Sequence, residues 1–224
     1  MSGQCEMAVK EYPAEWIDPR YLKMPHVETG LRVGLFGGSF NPPHEGHRLV
    51  AEIALRRLNL DQLWWMVTPG NPLKDRRELA SLAERLAMSE VLARDPRIKV
   101  TAFEAAFSIR FSAETIALVR ARNPGVRFVW IMGADSLAGF HRWQKWQAIA
   151  RSLPIAVIDR PGSTLSYLSA KMAKTFSDAR VDEDDARALP LMRPPAWPFI
   201  HGPRSSLSST AIRNGGHPDT EKKT

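Results

Sequence analysis

The chain has 224 residues, 44% of them hydrophobic and 25% charged, with a formal net charge of +7. That composition supports one large globular domain, and no run of about eighteen apolar residues is present to cross a membrane. A single cysteine, Cys5, excludes an internal disulfide and a multi-cysteine zinc site and suits a reducing, cytosolic setting. A basic surface attracts anions, and both nucleic acid and a nucleotide triphosphate qualify.

Residues 1–30 show no clear period and read as an N-terminal extension with no assigned role. Their charges, Glu6, Lys10, Glu11, Glu15, Asp18 and Arg20, interrupt any apolar run that could serve as a secretory signal. Residues 31–36 (LRVGLF) predict a buried strand. Residues 47–58 follow as a helix with Val50, Ala54 and Leu58 on one face and Leu49 and Ile53 beside them. A second strand is expected at 63–67 (LWWMV), a helix at 79–93 and a weaker strand at 98–103. The helix over 112–122 is stopped by Asn123-Pro124-Gly125. Then come a strand at 127–132 (RFVWIM), a helix over 136–151, a strand at 153–158 (LPIAVI) and a short one at 198–200. The acidic run 182–185 reads as a solvated loop or helix end, and 215–224 as a polar tail. The domain proper is therefore 31–214. Near-continuous apolar strands alternating with helices predict a right-handed α/β fold. It is Rossmann-like, with a mostly parallel sheet and helices on both faces. Ligands in such sheets lie at the carboxyl ends of the strands.

The first strand end carries the densest signal, Gly37-Gly38-Ser39-Phe40-Asn41-Pro42-Pro43-His44-Glu45-Gly46-His47. Paired glycines let the backbone turn and approach a ligand, and paired prolines stiffen the loop. His44 and His47, three residues apart, fall on one face of a first helical turn. The unpaired amides and positive dipole end of that turn favour phosphate, to which two imidazoles can donate. The spacing is not that of the H-E-x-x-H zinc helix. The Walker A loop, the G-x-G dinucleotide fingerprint and the G-x-S-x-G nucleophile elbow are all missing.

A second helix start near the end, residues 206–213 (SLSSTAIR), offers Ser208 or Ser209 as a cap and Arg213 one turn on as a forked cation. An ordinary capped surface helix would read the same way. After the fourth strand stand Gly133-Ala134-Asp135 and then Phe140, His141, Arg142, Trp143 and Trp146. An aspartate at a strand end can accept from ribose hydroxyls, and an indole face can cover a flat ring. Trp146 reads as a core residue.

These motifs resemble the nucleotidylyltransferases with an H-x-G-H signature and, within them, the bacterial nicotinate-nucleotide adenylyltransferases. The resemblance spans 31–214. It implies ATP binding by Gly37, Gly38, Ser39, Phe40, His44 and His47. Ser208, Ser209, Thr210 and Arg213 match an (I/L)-S-S-T-x-(I/L)-R motif that holds the triphosphate. His44, His47 and Arg213 would be catalytic. Asp135 and Trp143 match the G-A-D…F-x-x-W block at the mononucleotide and its pyridine ring. Lys74, in the loop after the second strand, and Arg160, in Asp159-Arg160-Pro161-Gly162, would serve the same substrate. The family's S-Y-T-x-D-T segment is replaced by Ser112-Ala113-Glu114-Thr115 after Phe111, which leaves Ser112 and Thr115 as the matches at the nicotinate end.

The activity implied is transfer of AMP from ATP to nicotinate mononucleotide, giving nicotinate adenine dinucleotide and pyrophosphate. Mg²⁺ would ride on the substrate phosphates, with no dedicated metal site, no nucleic-acid partner and no membrane. Three alternatives stay open. They are the same reaction on nicotinamide mononucleotide, phosphopantetheine adenylyl transfer, and a basic nucleotide- or nucleic-acid-binding protein without turnover.

Overall fold

The computed structural model describes residues 16–69, 79–159 and 169–202. Six strands form one sheet: β1 (Arg32–Gly38), β2 (Gln62–Val67), β3 (Ile98–Thr101), β4 (Arg127–Gly133), β5 (Ile155–Ile158) and β6 (Phe199–Ile200). Their order is β3-β2-β1-β4-β5-β6, and every neighbouring pair is parallel. The expected sheet is thus present, and wholly rather than mostly parallel.

The unbroken apolar runs split by strand periodicity into two cores. Val33, Leu35, Trp64, Met66, Trp130, Met132, Ile155 and Val157 face one side. Phe36, Leu63, Trp65, Val67, Val129, Ile131, Ala156 and Ile158 face the other. Helices cover both. α1 (Glu45–Arg57) and α2 (Leu82–Leu92) pack on the second core. α4 (Ser112–Arg122), α5 (Ala134–Phe140), α6 (Trp146–Ser152) and α7 (Lys171–Thr175) pack on the first, as does the short α3 (Phe103–Ala106) through Phe103. The chain runs outward from β1 through β2 to β3, then returns to β4 beside β1. Loops from β1 and β4 therefore leave toward opposite faces and open a crevice between them.

Several expectations need correction. The helix expected over 136–151 is two helices, α5 and α6, separated by a turn in which Lys145 is left-handed at φ 55°. α2 starts later than residue 79 because Ser81 caps it: its side chain accepts from the Glu84 amide at 3.2 Å, and the Glu84 carboxylate accepts from the Ser81 amide at 2.9 Å. The acidic run is solvated only in part. Glu183 pairs with Arg57 at 3.0 Å and accepts from the His201 amide at 3.0 Å, fixing the end of β6.

Residues 16–30, aperiodic in sequence, run from the end of the edge strand β3 to the loop before β4, where the Gly30 amide donates to the Gly125 carbonyl. The Tyr21 carbonyl accepts from the Ala102 amide at 2.7 Å and from the Thr101 hydroxyl at 3.1 Å. Among the described residues no helix is long and apolar enough to cross a membrane.

Candidate functional site

The loop after β1 turns at Phe40, a non-glycine residue held left-handed at φ 46°. Such a conformation costs on the order of 1 kcal/mol and persists only where packing imposes it. Here the ring is 2% exposed and lies 4.7 Å from Trp65, 5.4 Å from Phe36 and 5.0 Å from His47, centroid to centroid. The turn delivers the chain to α1 with His44 as its N-cap. His44 Nδ1 accepts from the Gly46 amide at 3.1 Å, and His47 Nδ1 accepts from the His44 amide at 3.2 Å. This is a reciprocal capping box made of two imidazoles in place of the usual hydroxyl and carboxylate. Because Nδ1 of each ring accepts, the proton of each neutral ring sits on Nε2 and makes that edge a donor. The rings lie 3.8 Å apart, so the two histidines act as one unit, as their spacing predicts.

Across the crevice, β4 ends at Gly133, which caps α5, and Asp135 is exposed in its first turn. Gly37 at the end of β1 faces Trp130 of β4 closely: a Cβ there would lie 3.3 Å from the indole. Trp143 stands edge-on to Trp130 at 6.0 Å and to Phe140 at 5.3 Å and is half-buried. His44, His47, Gly37, Gly38, Ser39 and Phe40 thus lie at or after the carboxyl end of β1, and Asp135 and Trp143 follow the carboxyl end of the neighbouring β4. Trp146 packs between Phe140 and Phe176 at 6.0 and 5.9 Å but is half-buried rather than sealed in the core.

Ser112 opens α4 and is half-buried. Thr115 is different. It is fully buried, and its hydroxyl donates to Glu104, itself only 6% exposed. The residue type matches the family motif, and here the hydroxyl ties α4 to α3. Burial pushes the Glu104 carboxyl above its ordinary range, with the Thr115 hydroxyl opposing. Sequence reading missed Glu104 because no local pattern distinguishes a buried acid from a solvated one. It also missed Arg85 of α2, a guanidinium only 1% exposed. Its spacing of three and four residues from Leu82 and Ser89 already places it on the inward stripe of that helix. Lys74, Arg160, Ser208, Ser209, Thr210 and Arg213 lie outside the described residues.

Known proteins can now be set beside this geometry. The cytidylyltransferase-like family model matches residues 35–215. A Rhizobium johnstonii protein named "Probable nicotinate-nucleotide adenylyltransferase" is 72% identical over 199 residues, 88% of this chain and the whole of that protein. Relatives of the same name from Mesorhizobium japonicum and Brucella suis are 74% and 73% identical, covering 85% and 82% of this chain and 97% and 94% of theirs. Among solved structures, the Plasmodium falciparum nicotinic acid mononucleotide adenylyltransferase complexed with NaAD superposes with a TM-score of 0.63. At 15% identity, covering 82% of this chain and 83% of that one, it is similar in fold. The chain thus belongs to the cytidylyltransferase-like nucleotidyltransferases and, within them, to the nicotinate-nucleotide adenylyltransferase family.

Proposed function

We propose that this chain transfers the AMP moiety of ATP to nicotinate mononucleotide in the cytosol, releasing pyrophosphate and forming nicotinate adenine dinucleotide. The observation that carries the reading is the imidazole capping box at the start of α1, just after the carboxyl end of β1. The high identity to relatives named for this activity supports it.

The 5′-phosphate of the mononucleotide attacks the α-phosphorus of ATP. A bond to that phosphate oxygen forms, the bond to the bridging oxygen of the β-phosphate breaks, and pyrophosphate leaves. The attacking phosphate is already ionised, so neither a general base nor a protein nucleophile is needed. What remains is to align two anions and offset their repulsion. In this proposal His44 and His47 donate to the polyphosphate, while Ser208, Ser209, Thr210 and Arg213 complete its cradle. Lys74 and Arg160 attract the mononucleotide phosphate, Asp135 accepts from ribose hydroxyls, and Trp143 covers the pyridine ring.

Gly202, two residues past β6, supports convergence of the last motif on the first. A Cβ there would lie 2.5 Å from Ile53 Cδ1, so the chain leaves β6 against α1, the helix that His44 caps. Among the described residues no three His, Cys, Asp or Glu side chains gather into a metal cage. The donor set fits phosphate oxygens, and Mg²⁺ carried on the triphosphate would supply charge neutralisation.

The test is an assay with ATP, Mg²⁺ and, in turn, nicotinate mononucleotide, nicotinamide mononucleotide and phosphopantetheine, following pyrophosphate. Release is expected with the nicotinate substrate at the highest kcat/KM. Preference for either other acceptor, or none for any, overturns the assignment.

A further inference from the structure

α2 contributes nothing to the reaction as derived so far, yet it holds an unusual group. The Arg85 guanidinium is 1% exposed and has no carboxylate partner among the described residues. A buried charge without a counterion is costly, and such groups persist where every donor is satisfied. Arg85 spends its donors on main-chain carbonyls: Nε on Ala80 at 3.0 Å, one terminal nitrogen on both Ser39 and Thr68 at 2.7 Å, and the other toward Pro69 at 3.5 Å. Ser39 belongs to the loop after β1, and Thr68 and Pro69 to the loop after β2. Asn41 extends the seam, accepting from the Ala80 amide at 3.1 Å. Burial lowers the guanidinium to about 10, still protonated at neutral pH.

The consequence follows from peptide geometry. In a trans peptide the C=O and N–H point in opposite directions. Holding the Ser39 carbonyl against Arg85 therefore aims the Phe40 amide away from it, and among the described residues that amide has no acceptor. The same anchor fixes the left-handed Phe40 turn that leads to the His44 cap. Successive amides at such a turn make an anion-binding nest.

We infer that Arg85 is a positioning residue of the nucleotide site: by gripping Ser39 and Thr68 it holds the first loop so that the Phe40 amide and the two imidazoles meet the polyphosphate. The inference rests on the adenylyl-transfer reading.

The experiment compares the wild-type chain with Arg85→Lys, which keeps the charge and loses the fork. Each is assayed with ATP, Mg²⁺ and nicotinate mononucleotide, with folding followed by near-UV dichroism. The folded variant should lose at least about tenfold in kcat, a loss that persists at saturating mononucleotide. A smaller loss, a loss that tracks the unfolded fraction, or a change confined to the mononucleotide KM overturns the role. If the wild type releases no pyrophosphate, the adenylyl-transfer reading fails by itself. Arg85 is then judged by affinity for a non-hydrolysable ATP analogue, with an unchanged dissociation constant in the variant counting against it. Should the lysine variant not fold, the Phe40 amide resonance of the unmodified protein decides. It should shift on addition of that analogue, and no shift overturns the inference.

Discussion

Replacing Thr115 with Val exchanges its hydroxyl for a methyl group while keeping the side chain's branched shape. Its oxygen donates to Glu104, and both residues are sealed from water. The valine leaves a buried carboxyl without its donor, which costs about 1–3 kcal/mol. For a chain of this size each kcal/mol lowers the melting temperature by roughly 2–4 °C, so a fall of about 2–12 °C is expected. Glu104→Gln behaves differently, because the amide keeps an acceptor for the Thr115 hydroxyl and cannot ionise. Burial raises the folded-state Glu104 above its unfolded range, so the native state binds the extra proton between those two values. Stability from this group is thus fully present below the unfolded carboxyl range and is lost as pH rises through the folded value. Glu104→Gln removes that loss. It should be more stable than wild type at neutral pH, with the difference closing toward about pH 4. Urea unfolding of all three proteins at both pH values measures this, and kcat/KM for adenylyl transfer should stay within about threefold in Thr115→Val. A raised mononucleotide KM with an unshifted melting temperature would make Thr115 a substrate ligand. A Glu104→Gln variant less stable than wild type at neutral pH, with the deficit closing as pH falls, would mean that the carboxyl is ionised and paired in the fold.

Two further substitutions probe the walls of the crevice. Gly202→Val places a branched side chain where even a Cβ lies 2.5 Å from Ile53 Cδ1. Pyrophosphate release should fall by about tenfold as the exit from β6 shifts, with partial recovery in the double variant with Ile53→Val; no loss would mean that this close approach does not position the last motif. Trp143→Ala uncovers the face that leans on Trp130 and Phe140. It should raise the KM for the pyridine mononucleotide about tenfold and leave the KM for ATP within about threefold, and equal effects on both would detach Trp143 from the pyridine ring.

The sheet was readable because its strands are covered on both faces, so each appears as an apolar run bounded by turn formers, and the observed ends lie within two residues of the expected ones at most strands. The break between α5 and α6 was not. Apolar spacing continues through Phe140, Trp143 and Trp146, and the left-handed turn at Lys145 answers to how those rings pack on Phe176 and Trp130, a tertiary matter. The first loop announced itself through glycine, proline and histidine in one short segment. Its cap did not, because the sequence signature of a capping box is a hydroxyl followed by Glu or Gln, and here imidazoles perform both halves. Thr115 shows what residue type alone does not carry, its tertiary neighbour. The type is retained, while the neighbour that engages it, Glu104, lies eleven residues upstream and carries no local mark of burial.

The histidine cap gives the sharpest separation of folding from chemistry. Under the proposed function His44 would have two uses at once: Nδ1 accepts from the Gly46 amide, and Nε2 would offer a proton to a phosphate oxygen. Alanine would abolish both and so could not say which matters. Asparagine is a strong N-cap whose carbonyl oxygen can accept from the same amide, but its side chain is too short to place a donor where Nε2 stands. His44→Asn should therefore keep α1 within about 1 kcal/mol of wild type in urea unfolding. It should lose at least about tenfold in kcat if the missing donor serves charge that develops on the polyphosphate, as the proposed function requires. A variant that unfolds early would show that the imidazole cap is not replaceable by an amide. One that folds and turns over at the wild-type rate would confine His44 to holding the helix start and leave His47 alone to meet the nucleotide.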